Sequence, residues 1–88
     1  SVHPRVLEPL ISLTLSSEKE DWEIAKNYIS KLVWLISYPN RRVQFQSAWG
    51  LANLALLDED ARMQIFKAEG LEALFGWYTE MDFVVQLE

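Results

Sequence analysis

Ile29-Ser-Lys-Leu32-Val33-Trp34-Leu35-Ile36 is followed, after a Tyr38-Pro39-Asn40 break, by Val43-Gln-Phe-Gln46-Ser-Ala48-Trp49-Gly-Leu51-Ala52-Asn53-Leu54-Ala55. This stretch decides the fold. Apolar residues recur three and four positions apart on both sides of the break, the spacing of one buried helix face, and neither half alternates as a strand would. Proline removes a backbone donor and disfavours helix at the residue before it, so the first helix stops there. Asn40 is suited to cap the next helix, which runs from Arg41 to about Leu57 with Val43, Ala48, Leu51, Ala52, Leu54 and Ala55 inward.

Outward from this pair the pattern stays helical. Upstream, His3 to Ser16 carries Val6, Leu7, Leu10, Ile11, Leu13 and Leu15, with Pro4 in the first turn, where a missing N–H costs nothing. Ser17 and Glu20 have the spacing of a capping box opening a helix that holds Trp22, Ile24, Ala25 and Tyr28. Downstream, Asp58-Glu59-Asp60 starts a short helix reaching Ala68, where acids suit the positive end of the helix dipole. Gly70 is the expected left-handed stop. Leu71 to Tyr78 reads as another short helix, and Phe83 to Glu88 as the start of one more.

The chain also repeats itself. Shifted by 42 residues, Val43-Gln44-Phe45-Gln46 falls on Val85-Gln86-Leu87-Glu88, and Ile29, Leu32, Val33 and Leu35 fall on Leu71, Leu74, Phe75 and Trp77. Shifted by 41, Leu10 and Leu13 fall on Leu51 and Leu54, and Ile24 and Lys26 on Ile65 and Lys67. A period near this length is that of helical solenoids built from two- or three-helix units.

With this period, the quoted stretch resembles the second and third helices of an armadillo repeat. Arg62 to Gly70 followed by Leu71-Glu-Ala-Leu74 looks like the first helix, glycine turn and second helix of the following repeat. The resemblance implies an all-α, armadillo-type right-handed superhelix (α-solenoid) fragment of about two repeats. Residues 1–88 would be a single segment: 3–16 the third helix of a preceding repeat, 17–57 a complete repeat, and 58–88 a second repeat truncated in its third helix. Tyr28-Ile29 stands where Gly70 stands one repeat later, so the first two helices of the earlier repeat are expected to run on as one unless Asn27 turns the chain.

Composition narrows the function. Half of the 88 residues are hydrophobic and 24% are charged, which is globular rather than disordered. The net charge of −5 repels a phosphate backbone and argues against nucleic acid. There is no apolar run long enough to span a membrane. Cysteine is absent and His3 is the single histidine, so neither a thiol nucleophile, a His–Cys zinc site nor a serine triad can be assembled. Carboxylates cluster at Glu18, Glu20, Asp21 and Glu23 and again at Asp58, Glu59 and Asp60, in positions that read as solvated helix N-termini rather than as acid–base or metal chemistry. No Gly-rich phosphate loop is present. The reading is non-catalytic, with no catalytic residues, no metal and no cofactor, and an intracellular setting, cytoplasmic or nuclear, is expected.

Gln46, Trp49 and Asn53 carry the functional signal. Spacings of three and four put them on one stripe of one helix. An amide offers a donor and an acceptor to a ligand backbone, and an indole offers an apolar wall. The stripe is similar to the Q-x-x-W-x-x-x-N ladder of the importin-alpha branch of armadillo proteins. The resemblance implies that Asn53 bonds the backbone of an extended peptide while Trp49 flanks a side chain. Leu57 departs from that pattern, as do Glu8 and Ser12, which take the places of Trp49 and Asn53 one repeat earlier. Arg41 and Arg42 open the helix where positive charge is unfavourable, and they read either as a solvated turn or as a pair of anchors for an acidic partner segment at the groove rim, with Arg42 among the candidate peptide-binding residues.

The expected function is therefore a protein–protein interaction module that binds an extended peptide of a protein partner through its concave third-helix face. A structural or oligomerisation segment of a larger scaffold, and a regulatory repeat region of a multidomain enzyme, stand as alternatives. The aromatics Trp22, Trp77 and Tyr78 are expected in core or inter-repeat packing, with Trp34 facing outward. Because a repeat does not bury its own apolar face alone, the chain is expected either to continue past Glu88 or to have its open ends covered by another chain, with self-association through exposed repeat ends.

Overall fold

A computed structural model describes the backbone of residues 2–87 and the side chains of residues 2–81. Among the described residues the chain is entirely helical: α1 (Pro4–Thr14), α2 (Lys19–Lys26), α3 (Ile29–Leu35), α4 (Arg41–Leu57), α5 (Glu59–Lys67) and α6 (Gly70–Leu87). The all-helical solenoid expected from the repeat is the fold found.

Local chemistry sets most boundaries. The Nδ1 of His3 accepts from the Arg5 amide and caps α1. Asn40 Oδ1 accepts from the Val43 amide at 3.1 Å, so the polar cap expected at α4 forms. Asp58 caps α5 through Ala61 N–H while its own extended backbone, φ −145° and ψ 125°, terminates α4. Arg62 closes the same junction by donating from Nη1 to the Ala55 carbonyl at 2.6 Å, placing positive charge at the negative end of α4.

Four expectations need correction. The Ser17–Glu20 capping box does not form: Glu18 is the cap residue of α2 without a side-chain bond, and Ser16 ties the turn by donating to Asp21 and accepting from the Glu18 amide. The first two helices of the earlier repeat do not run on as one; the chain turns at Asn27 and Tyr28, both at negative φ. The left-handed residue at the end of α5 is Glu69 (φ 61°), not Gly70. Gly70 is needed for space instead, since a Cβ there would stand 2.5 Å from Ile65 Cγ2 and 3.2 Å from Val33 Cγ2. Finally, Leu71–Tyr78 and the residues from Phe83 to Leu87 are one helix, α6, with no break between them.

The core lies where α3, α4 and α5 meet. Leu32 of α3, Leu51 and Leu54 of α4, and Ala61 and Ile65 of α5 are buried together with Ala25, Ile29, Ile36 and Ala48. Each large side chain of this set removes from water an apolar area worth about 1.5–3 kcal/mol. A second cluster, Leu7, Ile11, Leu35 and Val43, fastens α1 to α3 and α4. α1 lies against α4 so closely that a Cβ on Gly50 would meet Ile11 Cδ1 at 2.8 Å. Ala52, expected inward, is exposed, and so are Val6 of α1, Leu15 just after it, Ile24 of α2 and Tyr28 just before α3. These residues lie on sides of the helices that no further element covers among the described residues.

Candidate functional site

α4 carries the site because it is long, centrally packed and open on one side. It contacts α1, α3 and α5, and its remaining surface presents Arg41, Arg42, Phe45, Trp49 and Ala52. The side chains the sequence singled out divide into two groups. Arg42, Gln46 and Trp49 come together, lining with Arg41, Phe45 and Met81 an open depression of about 430 Å³. Asn53 stands apart from it.

Asn53 is half-buried and donates from Nδ2 to Thr14 Oγ1 at 3.2 Å, across the α1–α4 contact. The Thr14 hydroxyl spends its own proton on the Ile11 carbonyl at 2.7 Å, so toward Asn53 it acts as acceptor and fixes which end of the amide faces it. One amide N–H and Oδ1 of Asn53 remain without a partner among the described residues. Gln46 is half-buried, with an Oε1 that is buried and has no partner among the described residues, an acceptor that costs about 1–3 kcal/mol while it stays so. Trp49 is 45% exposed. Arg41 and Arg42 are exposed, and Arg41 Nη1 lies 3.4 Å from Met81 Sδ.

A second hollow, of about 600 Å³, opens between α4 and α6 and is lined by Phe45, Ala48, Trp49, Ala52, Leu74, Trp77 and Tyr78. The rings of Phe45 and Trp77 meet edge to face at 6.0 Å. Phe45 was missed in the sequence. Its place next to Gln46 and four residues before Trp49 gave the signal, which the inward reading of the neighbouring Ala and Leu residues hid. Tyr78, expected to be packed, is exposed, whereas Trp22 and Trp77 are half-buried. Trp34 faces outward as expected, edge to face with Tyr38 at 5.8 Å.

The acidic residues are the other surprise. Asp58 and Asp60 are not simply solvated: Lys26, buried on α2, donates from Nζ to Asp58 at 2.8 Å, Asp60 at 3.0 Å and Glu23 at 3.1 Å. The hydrogen bond to Asp58 is the main cause that raises the Lys26 pKa above its ordinary value, overcoming the opposing cost of burial. In return the Lys26 ammonium holds both aspartates below the usual carboxylate range. The cluster ties α2 to the start of α5. Among the described residues no group of three or more His, Asp or Glu side chains converges to hold a metal ion. No helix among them is long and apolar enough to cross a membrane.

The fold and this surface define a short helical solenoid with an open helix face. Residues 24–56 match the Armadillo/beta-catenin-like repeat, from the last turn of α2 to the last turn of α4. Over those residues the chain is similar to an armadillo repeat, a unit of protein-interaction and scaffold modules that are typically non-catalytic. No curated protein and no solved structure matches the chain.

Proposed function

We propose that the chain is a non-catalytic interaction module whose α4 face binds an extended, acidic segment of a partner protein, in a cytoplasmic or nuclear setting. The observation that carries this reading is the meeting of Arg42, Gln46 and Trp49 around one open depression, with Arg41 beside them. The guanidinium groups supply charge-assisted donors for carboxylates. Gln46 forms part of the wall of the depression, and Trp49 supplies a flat apolar surface. Asn53 takes part through the amide atoms that Thr14 leaves uncommitted.

The test is fluorescence anisotropy with labelled extended peptides of acidic, neutral and basic composition, against the wild type and the Trp49→Ala, Gln46→Ala and Arg42→Glu variants. Acidic peptides should bind best, and each substitution should weaken binding tenfold or more while thermal stability stays within a few degrees of wild type. Binding that is indifferent to all three substitutions, or strongest for basic peptides, removes this face from consideration.

A further inference from the structure

Asn53 answers to two helices at once. It belongs to α4, yet its amide is turned toward the end of α1, where Nδ2 donates to Thr14 Oγ1 at 3.2 Å. Thr14 is 1% exposed, too little for water to replace a lost bond. Its hydroxyl donates to the Ile11 carbonyl at 2.7 Å, which leaves only lone pairs facing Asn53. Turning the Asn53 amide end for end would set Oδ1 against those lone pairs, and Thr14 could answer only by giving up its bond to Ile11. An asparagine in open solvent presents its two ends interchangeably; this one does not. The lock belongs to this pair rather than to the repeat, since in the 41-residue register Asn53 corresponds to Ser12 and Thr14 to Ala55. Thr14 and Asn53 face each other across a contact internal to the chain, between α1 and α4.

The atoms Thr14 leaves uncommitted, Oδ1 and one N–H, therefore stand in a fixed order. An extended residue turns its own N–H and C=O to the same side, with the N–H nearer the N-terminus. Such a residue pairs with an ordered amide in one chain direction; reversed, donor meets donor and acceptor meets acceptor. We propose that Thr14 is a positioning residue: by holding the Asn53 amide, it sets the direction in which an extended partner segment lies along α4. This rests on the proposed function, which makes the α4 face a site for an extended peptide. Thr14 is buried, so it acts on the segment through Asn53 alone.

The arginines make direction measurable. Arg42 and Asn53 lie on the same helix, about 16 Å apart along its axis. An extended chain covers that span in about five residues. Carboxylates at one end of a peptide are drawn to the Arg41–Arg42 end of α4, and the rest of the peptide then passes Asn53. A peptide with glutamates at its N-terminal end, and the reversed sequence with glutamates at its C-terminal end, bring the same charge to the same arginines. They differ in the direction their backbones take past Asn53.

The experiment is fluorescence anisotropy with a capped nonapeptide that opens with two glutamates and continues in uncharged residues, and with its reversed sequence, each labelled on a side chain at the uncharged end. Wild type should prefer one direction by about tenfold, the worth of one mismatched hydrogen bond. Thr14→Val keeps the shape of the side chain and removes the acceptor, so the two peptides should then bind within about threefold of each other. Thr14→Ser should restore the preference, and Asn53→Ala should abolish it. The preference is a ratio taken on one protein, so a loss of stability in Thr14→Val does not move it. In the wild type, nuclear Overhauser contacts should also join the Asn53 amide protons to the Thr14 methyl group, a readout that needs no variant. The inference is overturned by a wild type that binds both peptides equally, by a preference that Thr14→Val or Asn53→Ala leaves intact, or by the absence of those Overhauser contacts. A wild type that binds neither peptide overturns the proposed function and this inference with it, whereas binding without direction overturns this inference alone.

Discussion

Replacing Lys26 with methionine keeps the unbranched stem of the side chain and removes its charge. Three carboxylates then lose their shared cation. Asp58, with a side chain only 15% exposed, is the partner that suffers most. Asp60, at 64% exposure, and Glu23 are rehydrated easily. Removing one member of a well-buried ion pair costs about 3–5 kcal/mol. Water reaches this cluster from the Asp60 side, and Asp58 keeps its bond from the Ala61 amide, so the lower end applies, about 3 kcal/mol. A chain of 88 residues has of the order of 4–13 kcal/mol in total, so the variant loses a large share. Urea unfolding followed by circular dichroism should show the midpoint falling by roughly 2–3 M at an unchanged slope. In an Asp58→Asn background, which retains a capping side chain, the same replacement should cost far less. A loss under about 1 kcal/mol in the wild-type background would refute the assignment of the cluster as a tie between α2 and α5.

The same cluster fixes the pH dependence. Both aspartates have depressed folded pKa values, so their contribution is present above the ordinary carboxylate value of about 4 and fades as pH falls through the folded values. The Lys26 value is raised, so its contribution is complete below about 10.4 and is lost as pH climbs toward the folded value. Stability against pH should therefore show a plateau with an acid and an alkaline shoulder, and Lys26→Met should flatten both. At the α5–α6 turn, Glu69→Gly should raise stability by about 0.5–1 kcal/mol, because glycine adopts the positive φ without the penalty an L side chain bears. Gly70→Ala should lower it by about 1–3 kcal/mol, since the added methyl meets Ile65 Cγ2 at 2.5 Å and the Ile65 carbonyl at 3.0 Å; denaturant titration reads both. Thr14→Val should cost about 1–2 kcal/mol by stranding the half-buried Asn53 amide, and Thr14→Ser should recover most of it.

What could be read from the sequence was what local chemistry decides. Asn40 was identifiable as a cap, and Asp58 as an acid opening a helix, because a short polar side chain three residues before the first needed N–H is a local device. The repeat period and the apolar faces of α3 and α4 were equally visible, since burial imposes them residue by residue. Contacts across the repeat were not. Lys26 meets Asp58 at a separation of 32 residues, and nothing near Lys26 marks it as a buried cation. Analogy between repeats also misled. It placed a break between Tyr78 and Phe83, yet Thr79-Glu80-Met81-Asp82 contains neither the proline nor the asparagine cap that ends α3, and α6 continues. The Gly70 assignment erred by one position because glycine serves two needs, positive φ and close approach, and here only the second applied. The Gln46–Trp49–Asn53 stripe was legible as spacing, but the Thr14 hydroxyl that engages Asn53 lies on another helix.

The junction at Asp58 has a mechanical meaning. One residue alone separates the last turn of α4 from the first of α5, whereas five separate α3 from α4. Successive helical residues are about 100° apart around the axis, so adding or removing a residue within the first turn of α5 would rotate the rest of the helix by that angle. Ala61 and Ile65 would swing out of the core, replaced by Arg62 and Phe66 on a removal or by Asp60 and Gln64 on an addition. The two helices are thus geared without backlash, and length changes in relatives should collect between Ile36 and Asn40 and be absent beside Asp58.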